Sequence, residues 1–353
     1  MPNNRSVKKL IKKTTFLILI ATILFFILTP IFFLTSLSFL SSREAYQFPL
    51  PILPSLKSEF VAQKSEKGYL ISIYEPSTGE YESILDTNKF EKMSTYFRRE
   101  LSIYVAPEKL KEILSQLDNG KVEKVYFTMR KSLWHNYKTF FKVTGNAKAA
   151  LIRSIQTALV TILISLILGG MAGYAFARFS FKGKEQLQFG ILFVRMFPAV
   201  TIALPMVILL AKYGFYDRPV GLSLVYSVGS IGLTAWITAS IFMGIGIELE
   251  EAAQVFGANK LQTFFKITLP LAFPGLAASS MYAFIGAWND TVSALILTQS
   301  KPTFAVVVYK ALIGSTGKIN LTAAGALTMA FPAVVFTLFI RKYINQMWGG
   351  VKV

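Results

Sequence analysis

The chain has no cysteine and a single histidine, His135. Disulfide stapling, thiolate catalysis and Cys-based metal centres are excluded, as are a His-rich metal site and a Ser–His triad anywhere but at His135. Acids are few: 19 Asp and Glu stand against 37 Lys and Arg, a formal net charge of +18. An excess of bases points to nucleic acid when it gathers with aromatics in a reading motif. Here the bases flank long apolar runs and dot one polar stretch, the pattern of juxtamembrane charge that fixes orientation. No nucleic-acid partner is expected. A phosphate loop is also missing. The Gly-Lys pairs at Gly120, Gly183 and Gly317 lack both the earlier Gly and the following Ser or Thr of G-x-x-x-x-G-K-[ST]. The chain is expected to bind no ATP and no other cofactor, and no catalytic residue is assigned.

What is present is apolar sequence, 53% of 353 residues. Arg5, Lys8, Lys9, Lys12 and Lys13 precede an apolar run from about Thr14 to Leu40. It is too long for a signal-peptide core and has no A-x-A site, so it reads as an uncleaved first span. Five more runs follow: Ala149–Ala177, Leu187–Ala211, Val220–Ile245, Leu271–Leu297 and Leu321–Ile340. Each comes close to or exceeds the roughly 20 residues that cross a bilayer as a helix. With the N-terminus inside, the inner segments hold the N-terminal bases, Arg178, Lys182, Lys184, Lys260, Lys266, Arg341, Lys342 and Lys352. The short outer loops hold fewer, so both termini are expected to be cytoplasmic.

The fold class expected is therefore an all-α polytopic membrane protein of six transmembrane helices, with a small extracellular α/β insert between spans one and two. Residues 1–40 are the basic N-terminus and first span, and 41–148 the outer loop, with the insert at about 55–130. Residues 149–345 are a five-helix core with a cytoplasmic loop at 247–270, and 346–353 a cytoplasmic tail. In the insert, YLISIY and YESIL flank the turn EPSTGE as a hairpin over Gly68–Leu85. A helix is expected after Asn88, with Glu91 at capping-box spacing. Another runs from Pro107 to about Leu117 with Leu110, Ile113, Leu114 and Leu117 on one face and Gly120 past its end. VYF near Val125 reads as a closing strand.

Ionisable groups inside spans are functional candidates by default. Arg195 sits about two turns into span three, where snorkelling to headgroups explains it. Arg153, at the start of span two, reads as interfacial. Asp290, in GAWND with Asn289, lies in the outer part of span five and lines a polar path or an interface. Gly169 and Gly173 have the small-xxx-small spacing that lets helices approach closely. His135, beside aromatics in SLWHNYKTFF, is expected at the headgroup level.

One polar segment between spans four and five keeps helical apolar spacing: EEAAQVFGANKLQTFFKITLPLAFPG, from Glu250. Glu248, Glu250 and Glu251 suit a helix N-terminus. Gly257 suits a left-handed turn, and Asn259 with Gln262 a second cap. Pro270 and Pro274 suit a break before span five. The segment reads as a helix–turn–helix along the inner face, its apolar residues turned to the bundle or to a cytoplasmic partner.

The spacing Glu251-Ala252-Ala253, Gly257, Ile267, Leu269-Pro270 matches E-A-A-x3-G-x9-I-x-L-P at every defined position. It resembles the EAA motif of ABC importer permeases. GYAFARFSFKGK, MFPAV, FIGAWND and the terminal GGVKV resemble MalG-type sugar permeases with a MetI/MalG-like core. The resemblance covers both chain ends and essentially all of Leu133–Val353 but not the insert at about Ser55–Arg130, and Val353 stands where the family usually has Gly. It implies that this loop is a coupling helix docking on a MalK-like ATPase dimer, with Glu251, Ala252, Ala253, Gly257, Ile267, Leu269 and Pro270 carrying the site. It implies that Gly349, Gly350, Val351 and Lys352 reach between the ATPase subunits. It also implies a second, MalF-like permease, an extracellular sugar-binding protein, and ATP and Mg on the ATPase alone. Maltose, a maltodextrin or a related oligosaccharide is the solute implied, and Asp290 and Asn289 are candidates for its path. The chain would sit in the plasma (cell inner) membrane. An ABC permease for another solute, or a non-ABC transporter, are the readings that compete.

Overall fold

In a computed structural model, residues 4–118, 122–314 and 318–349 are described. The chain divides into two compact units, residues 1–143 with 314–327, and residues 144–313 with 328–353.

The first unit begins with α1, Asn4–Phe39. Its Thr22, Thr29 and Thr35 hydroxyls donate to carbonyls four residues back, at 2.9, 2.6 and 2.7 Å. This satisfies the hydroxyls within the helix, which suits an apolar surrounding. The insert follows as a fully antiparallel sheet of order β3-β2-β1-β4, built from β1 (Lys57–Ser65), β2 (Gly68–Glu75), β3 (Glu80–Thr87) and β4 (Lys124–Arg130). Helices α2 (Phe90–Leu101) and α3 (Pro107–Asp118) pack on one face. Phe60, Ile71 and Ile73 of the sheet meet Met93, Phe97, Leu110 and Leu114 in a closed core. The hairpin, the second helix and the closing strand agree with the sequence reading. β1 does not appear in it. KSEFVAQKS is mixed in polarity, and only pairing with β2 and β4 makes it a central strand.

Asn88 does not cap α2. Lys89 is the N-cap, without a side-chain bond, and its N–H goes to the Thr87 hydroxyl at 3.3 Å. Asn88 is instead packed on Gly68, where an added Cβ would sit 2.7 Å from it and φ is +131°. Gly120 lies outside the described residues. His135 is buried. It opens α4 (His135–Val143), and its Nδ1 lies 3.0 Å from the Tyr104 hydroxyl. Burial, then the nearby Lys318 and Arg98, push its pKa below the ordinary value. Next to it Asn136 donates to the Ser38 and Leu40 carbonyls at 2.8 and 2.7 Å, which ties α4 to the end of α1.

In the second unit α5 (Ala147–Ile164), a π turn (Ser165–Gly169) and α6 (Gly170–Arg178) form one continuous apolar helix. It packs on α9 (Pro219–Gly244), the central helix of this unit. The glycine spacing does what its pattern predicts. A Cβ on Gly169 would come 2.8 Å from the Thr234 Cβ, and one on Gly173 only 2.0 Å from the Thr238 Oγ1 and 2.8 Å from the Ala235 carbonyl. Gly173→Ala is therefore expected to cost about 1–3 kcal/mol through overpacking. Gly170→Ala, whose Cβ would have only the Leu276 Cδ2 at 3.7 Å, should be tolerated. Thermal unfolding in detergent separates the two, and equal midpoints would refute the close-approach account.

Among the described residues five helices are long and apolar enough to cross a membrane, or six if one bent pair counts as a span. That pair corrects the sequence expectation of a straight third span. Leu187–Ala211 is split into α7 (Lys184–Val194) and α8 (Ala199–Lys212), bent by 87°. Pro198 has no N–H and disfavours a helical residue before it, so MFP ends one helix and starts the next. The expected fifth span also stops short, since α12 (Leu269–Asn289) is separated from α13 (Val292–Leu297) at Asp290-Thr291. α14 (Phe304–Ile313) precedes α15 (Ile319–Gly349), which begins in the first unit and continues in the second.

Candidate functional site

The segment between α9 and α12 is built from local signals. Helix α10 runs Ile247–Val255 with Glu248 and Glu250 in its first turn. It ends at Gly257, φ +89°. The Ala258 N–H donates to the Ala253 carbonyl at 3.0 Å and the Gly257 N–H to the Gln254 carbonyl at 3.0 Å. This pair of bonds is a Schellman motif, which needs a left-handed residue at that point. Asn259 then caps α11 (Lys260–Thr263) in the expected capping box. Its side chain accepts from the Gln262 N–H at 2.8 Å, and the Gln262 side chain accepts from the Asn259 N–H at 3.0 Å.

Pro270 does not break the chain. A π turn at Phe264–Thr268 joins α11 to α12, and helix runs unbroken from Lys260 to Asn289 through Pro270 and Pro274. The wider turn changes the bonding ladder just before Pro270, where a proline removes one donor and crowds the carbonyl four residues back.

The sequence reading missed the residues that anchor this segment. Glu250 is buried, 6% exposed, and forms an ion pair with Arg178 at 2.8 Å. The Tyr174 hydroxyl donates to the same carboxylate at 3.1 Å. Arg178, the last residue of α6, also donates to the carbonyls of Phe242 and Ile245 at 2.8 and 3.0 Å. Those carbonyls lie at the C-terminal end of α9, where a helix leaves acceptors unpaired. One guanidinium thus holds α6, α9 and α10 together. Phe264 adds ring contacts to Tyr174 and Phe242, with centroids 4.8 and 6.4 Å apart. A lone Arg closing an apolar helix and an acid beside the EAA triplet were visible in the sequence, but nothing in their spacing pairs residues 72 positions apart.

The other face is open. Glu251, Ala252 and Gly257 are exposed and Ala253, Ile267 and Leu269 are half-buried, while Pro270 is exposed. Val255 is 84% and Phe256 92% exposed, and Leu261 and Phe265 also project outward. The segment therefore has two faces, one clasped by Arg178 and Phe264 and one apolar and uncovered. A cavity of about 620 Å³ lies along it, lined among others by Tyr174, Arg178, Glu251, Leu261 and Phe265.

A second cavity of about 260 Å³ lies at the α7–α8 bend, with Arg195, Tyr226, Ser230, Tyr282 and Asp290 in its wall. Asp290 accepts from the Tyr226 hydroxyl at 2.7 Å, the Ser293 hydroxyl at 3.2 Å and the Ala294 N–H at 3.1 Å, so it caps α13. Arg195 sits at the bend, not inside a straight span. Asn289 is exposed and is not in the cavity wall. Arg153 donates to the Pro302 carbonyl at 3.0 Å. Gly349 ends α15, and Gly350, Val351 and Lys352 lie outside the described residues. Among the described residues no group of His, Cys, Asp and Glu is arranged to hold a metal.

The trehalose transport system permease protein SugB of Mycobacterium tuberculosis is 37% identical over 223 residues, 61% of this chain and 80% of that protein. The trehalose/maltose transport system permease protein MalG of Thermococcus litoralis is 30% identical over 218 residues, 61% of this chain and 78% of that one. The maltodextrin transport system permease protein MdxG of Bacillus subtilis is 28% identical over 201 residues, 56% and 72% of the two chains. A chain from the crystal structure of a bacterial ABC transporter involved in the import of the acidic polysaccharide alginate shares the fold, with a TM-score of 0.57 at 18% identity over 97% of this chain and 98% of that one. Residues 147–348, more than half of the chain, match the family described as "Binding-protein-dependent transport system inner membrane component", and this multi-pass membrane protein belongs to that family.

Proposed function

We propose that this chain is the MalG-type permease subunit of an ABC importer for a di- or oligosaccharide of the trehalose, maltose or maltodextrin class. The sugar class rests on the relatives named above. Coupling rests on one observation: the EAA-spaced segment is clasped from within by Arg178 while Val255, Phe256, Leu261 and Phe265 stand uncovered outside. An exposed apolar surface of this kind on a rigid support fits a protein partner. In this reading α10 docks on a MalK-like ATPase dimer through Glu251, Ala252, Ala253 and the Gly257 turn. Ile267, Leu269 and Pro270 carry its movement into α12. The tail Gly349–Lys352 adds a second ATPase contact. ATP and Mg are bound by those ATPase subunits, and ATP-driven closure of the dimer swings α10 and switches the permease pair between inward- and outward-facing states.

The path across the membrane is shared with a second, MalF-like permease, and an extracellular binding protein delivers the sugar. The cavity at the α7–α8 bend, with Asp290, Tyr226 and Ser230, is this chain's contribution to the path. Asn289 stands beside it. Both termini are cytoplasmic and the insert is extracellular, a topology supported by the inner bias of Lys and Arg.

Uptake of labelled trehalose, maltose and maltohexaose by cells with and without the gene tests the solute. Loss of at least one is expected; unchanged uptake of all three, with loss of a non-sugar solute, would overturn the sugar class. Because the native chain has no cysteine, Ser77→Cys and Asn259→Cys report topology with a membrane-impermeant thiol reagent. Intact cells should label only position 77, and labelling at 259 alone would invert the topology.

A further inference from the structure

Between α1 and β1 the chain runs Phe48-Pro49-Leu50-Pro51-Ile52-Leu53-Pro54, seven apolar residues. This segment does not enter the closed core of the insert. Phe48 is 99% exposed, Ile52 72% and Leu53 66%, and Leu56 and Tyr46 beside them are also open. A large apolar side chain left wholly uncovered is ordinary when single; a contiguous run of them marks a contact surface.

Three features say what covers it. First, the Ser36 hydroxyl donates to the Ile52 carbonyl. Ser36 is one turn before the end of the apolar stretch Ile11–Phe39. The backbone of Ile52 is therefore held alongside the last turn of a helix long enough to cross a bilayer, whose Phe32 and Phe33 are also exposed. Secondly, the same end of α1 carries an aromatic cluster. Phe39 lies 6.0 Å from Trp134 and 5.5 Å from Tyr137, these two are 5.4 Å apart, and Trp134 is 61% exposed. Such clusters of Trp and Tyr mark the headgroup level. Thirdly, the backbone is suited to a place with little water. Pro49, Pro51 and Pro54 have no N–H, so the irregular segment presents few unpaired donors, the groups that make non-helical backbone costly near lipid.

We propose that Phe48–Leu53 is an interfacial anchor, inserted at the boundary of lipid headgroups and acyl chains, that seats the base of the insert on the bilayer. Phe48 and Ile52 face the lipid. Pro49, Leu50, Pro51 and Leu53 line a cavity of about 600 Å³ that is also lined by the Glu44–Lys131 pair, 2.8 Å apart. Burial raises the Glu44 pKa, but Lys131, Ser55 and Ser41 outweigh it and hold the carboxyl below its ordinary value. The segment thus has an apolar outer side and an inner side supported by a fixed charge pair.

The cysteine-free chain makes the test direct. Phe48→Cys and Ile52→Cys, with Glu66→Cys in the exposed β1–β2 turn at the opposite end of the sheet as reference, are each nitroxide-labelled in the full chain and reconstituted in vesicles of phosphatidylcholine and phosphatidylglycerol. Collision with oxygen and with a water-soluble nickel chelate is read by electron paramagnetic resonance. At 48 and 52 the oxygen-to-nickel ratio should be several-fold higher than at 66. A ratio equal to that at 66 would place the segment in water. Exclusion of both reagents would place it under another protein chain. Either result overturns the anchor.

Discussion

Gly257→Val abolishes sugar uptake while the protein remains in the membrane at its normal level; this is the first outcome expected of the coupling segment. The residue sits at φ +89° with nothing within 4 Å of an added Cβ, so the substitution meets no clash. The cost is conformational. A β-branched residue avoids positive φ, and forcing it there costs about 1–3 kcal/mol, enough to favour a different turn but not to unfold a bundle. A changed turn re-aims α10 relative to α11 and moves Val255 and Phe256 off one common surface. Gly257→Asn, which accepts the left-handed region, should keep most of the uptake. Glu251→Lys tests the same surface by charge: Glu251 is exposed, so stability should hold while co-purification of the ATPase falls at least about tenfold, ~1.4 kcal/mol of binding. Normal uptake with Glu251→Lys, or equal loss with Val and Asn at 257, would defeat the coupling assignment.

The largest loss of stability is expected at the Arg178–Glu250 pair. The side chains of Arg178 and Glu250 are 9% and 8% exposed, so removing one partner leaves the other charged and buried. Breaking such a pair costs about 3–5 kcal/mol, whereas replacing both with apolar groups is often neutral. Glu250→Ala should therefore unfold far earlier in detergent, and Arg178→Met with Glu250→Leu should recover much of the loss. Arg178→Ala should be at least as harmful as Glu250→Ala, because it also strips donors from the Phe242 and Ile245 carbonyls. The measurement is the temperature at which monodisperse protein disappears on heating. A Glu250→Ala variant as stable as the native chain would mean that the clasp does not hold α6, α9 and α10 together.

These two sites differ in how far the sequence discloses them. Gly257, Asn259 and Gln262 were legible because their bonds close within five residues, and their chemistry fixes where helices stop and start. The same holds for Pro107 at the head of α3 and for the glycine turn of the β2–β3 hairpin. Apolar run length marked the membrane helices, because crossing a bilayer sets a minimum length whatever the neighbours are.

Other features depended on partners distant in the chain. Pro198 turned out to divide a span and Pro270 did not, although both are prolines in apolar surroundings; the second follows the π turn at Phe264–Thr268 and lies within an unbroken helix. Asp290 caps α13 through bonds that close within four residues, but α9 had to bring Tyr226 to it to make it a wall of the bend cavity. Among three neighbouring acids, sequence could not say that Glu250 turns inward and Glu251 outward. Helix spacing alone gives each a direction around the axis, and only the position of Arg178 makes one direction the interior. The sequence by itself determined the membrane class, the local caps and the EAA-spaced segment, since each rests on short-range bonding or on run length. The tertiary structure decided which side of that segment is clasped and which is open, since burial is a property of what packs against a residue and not of the residue.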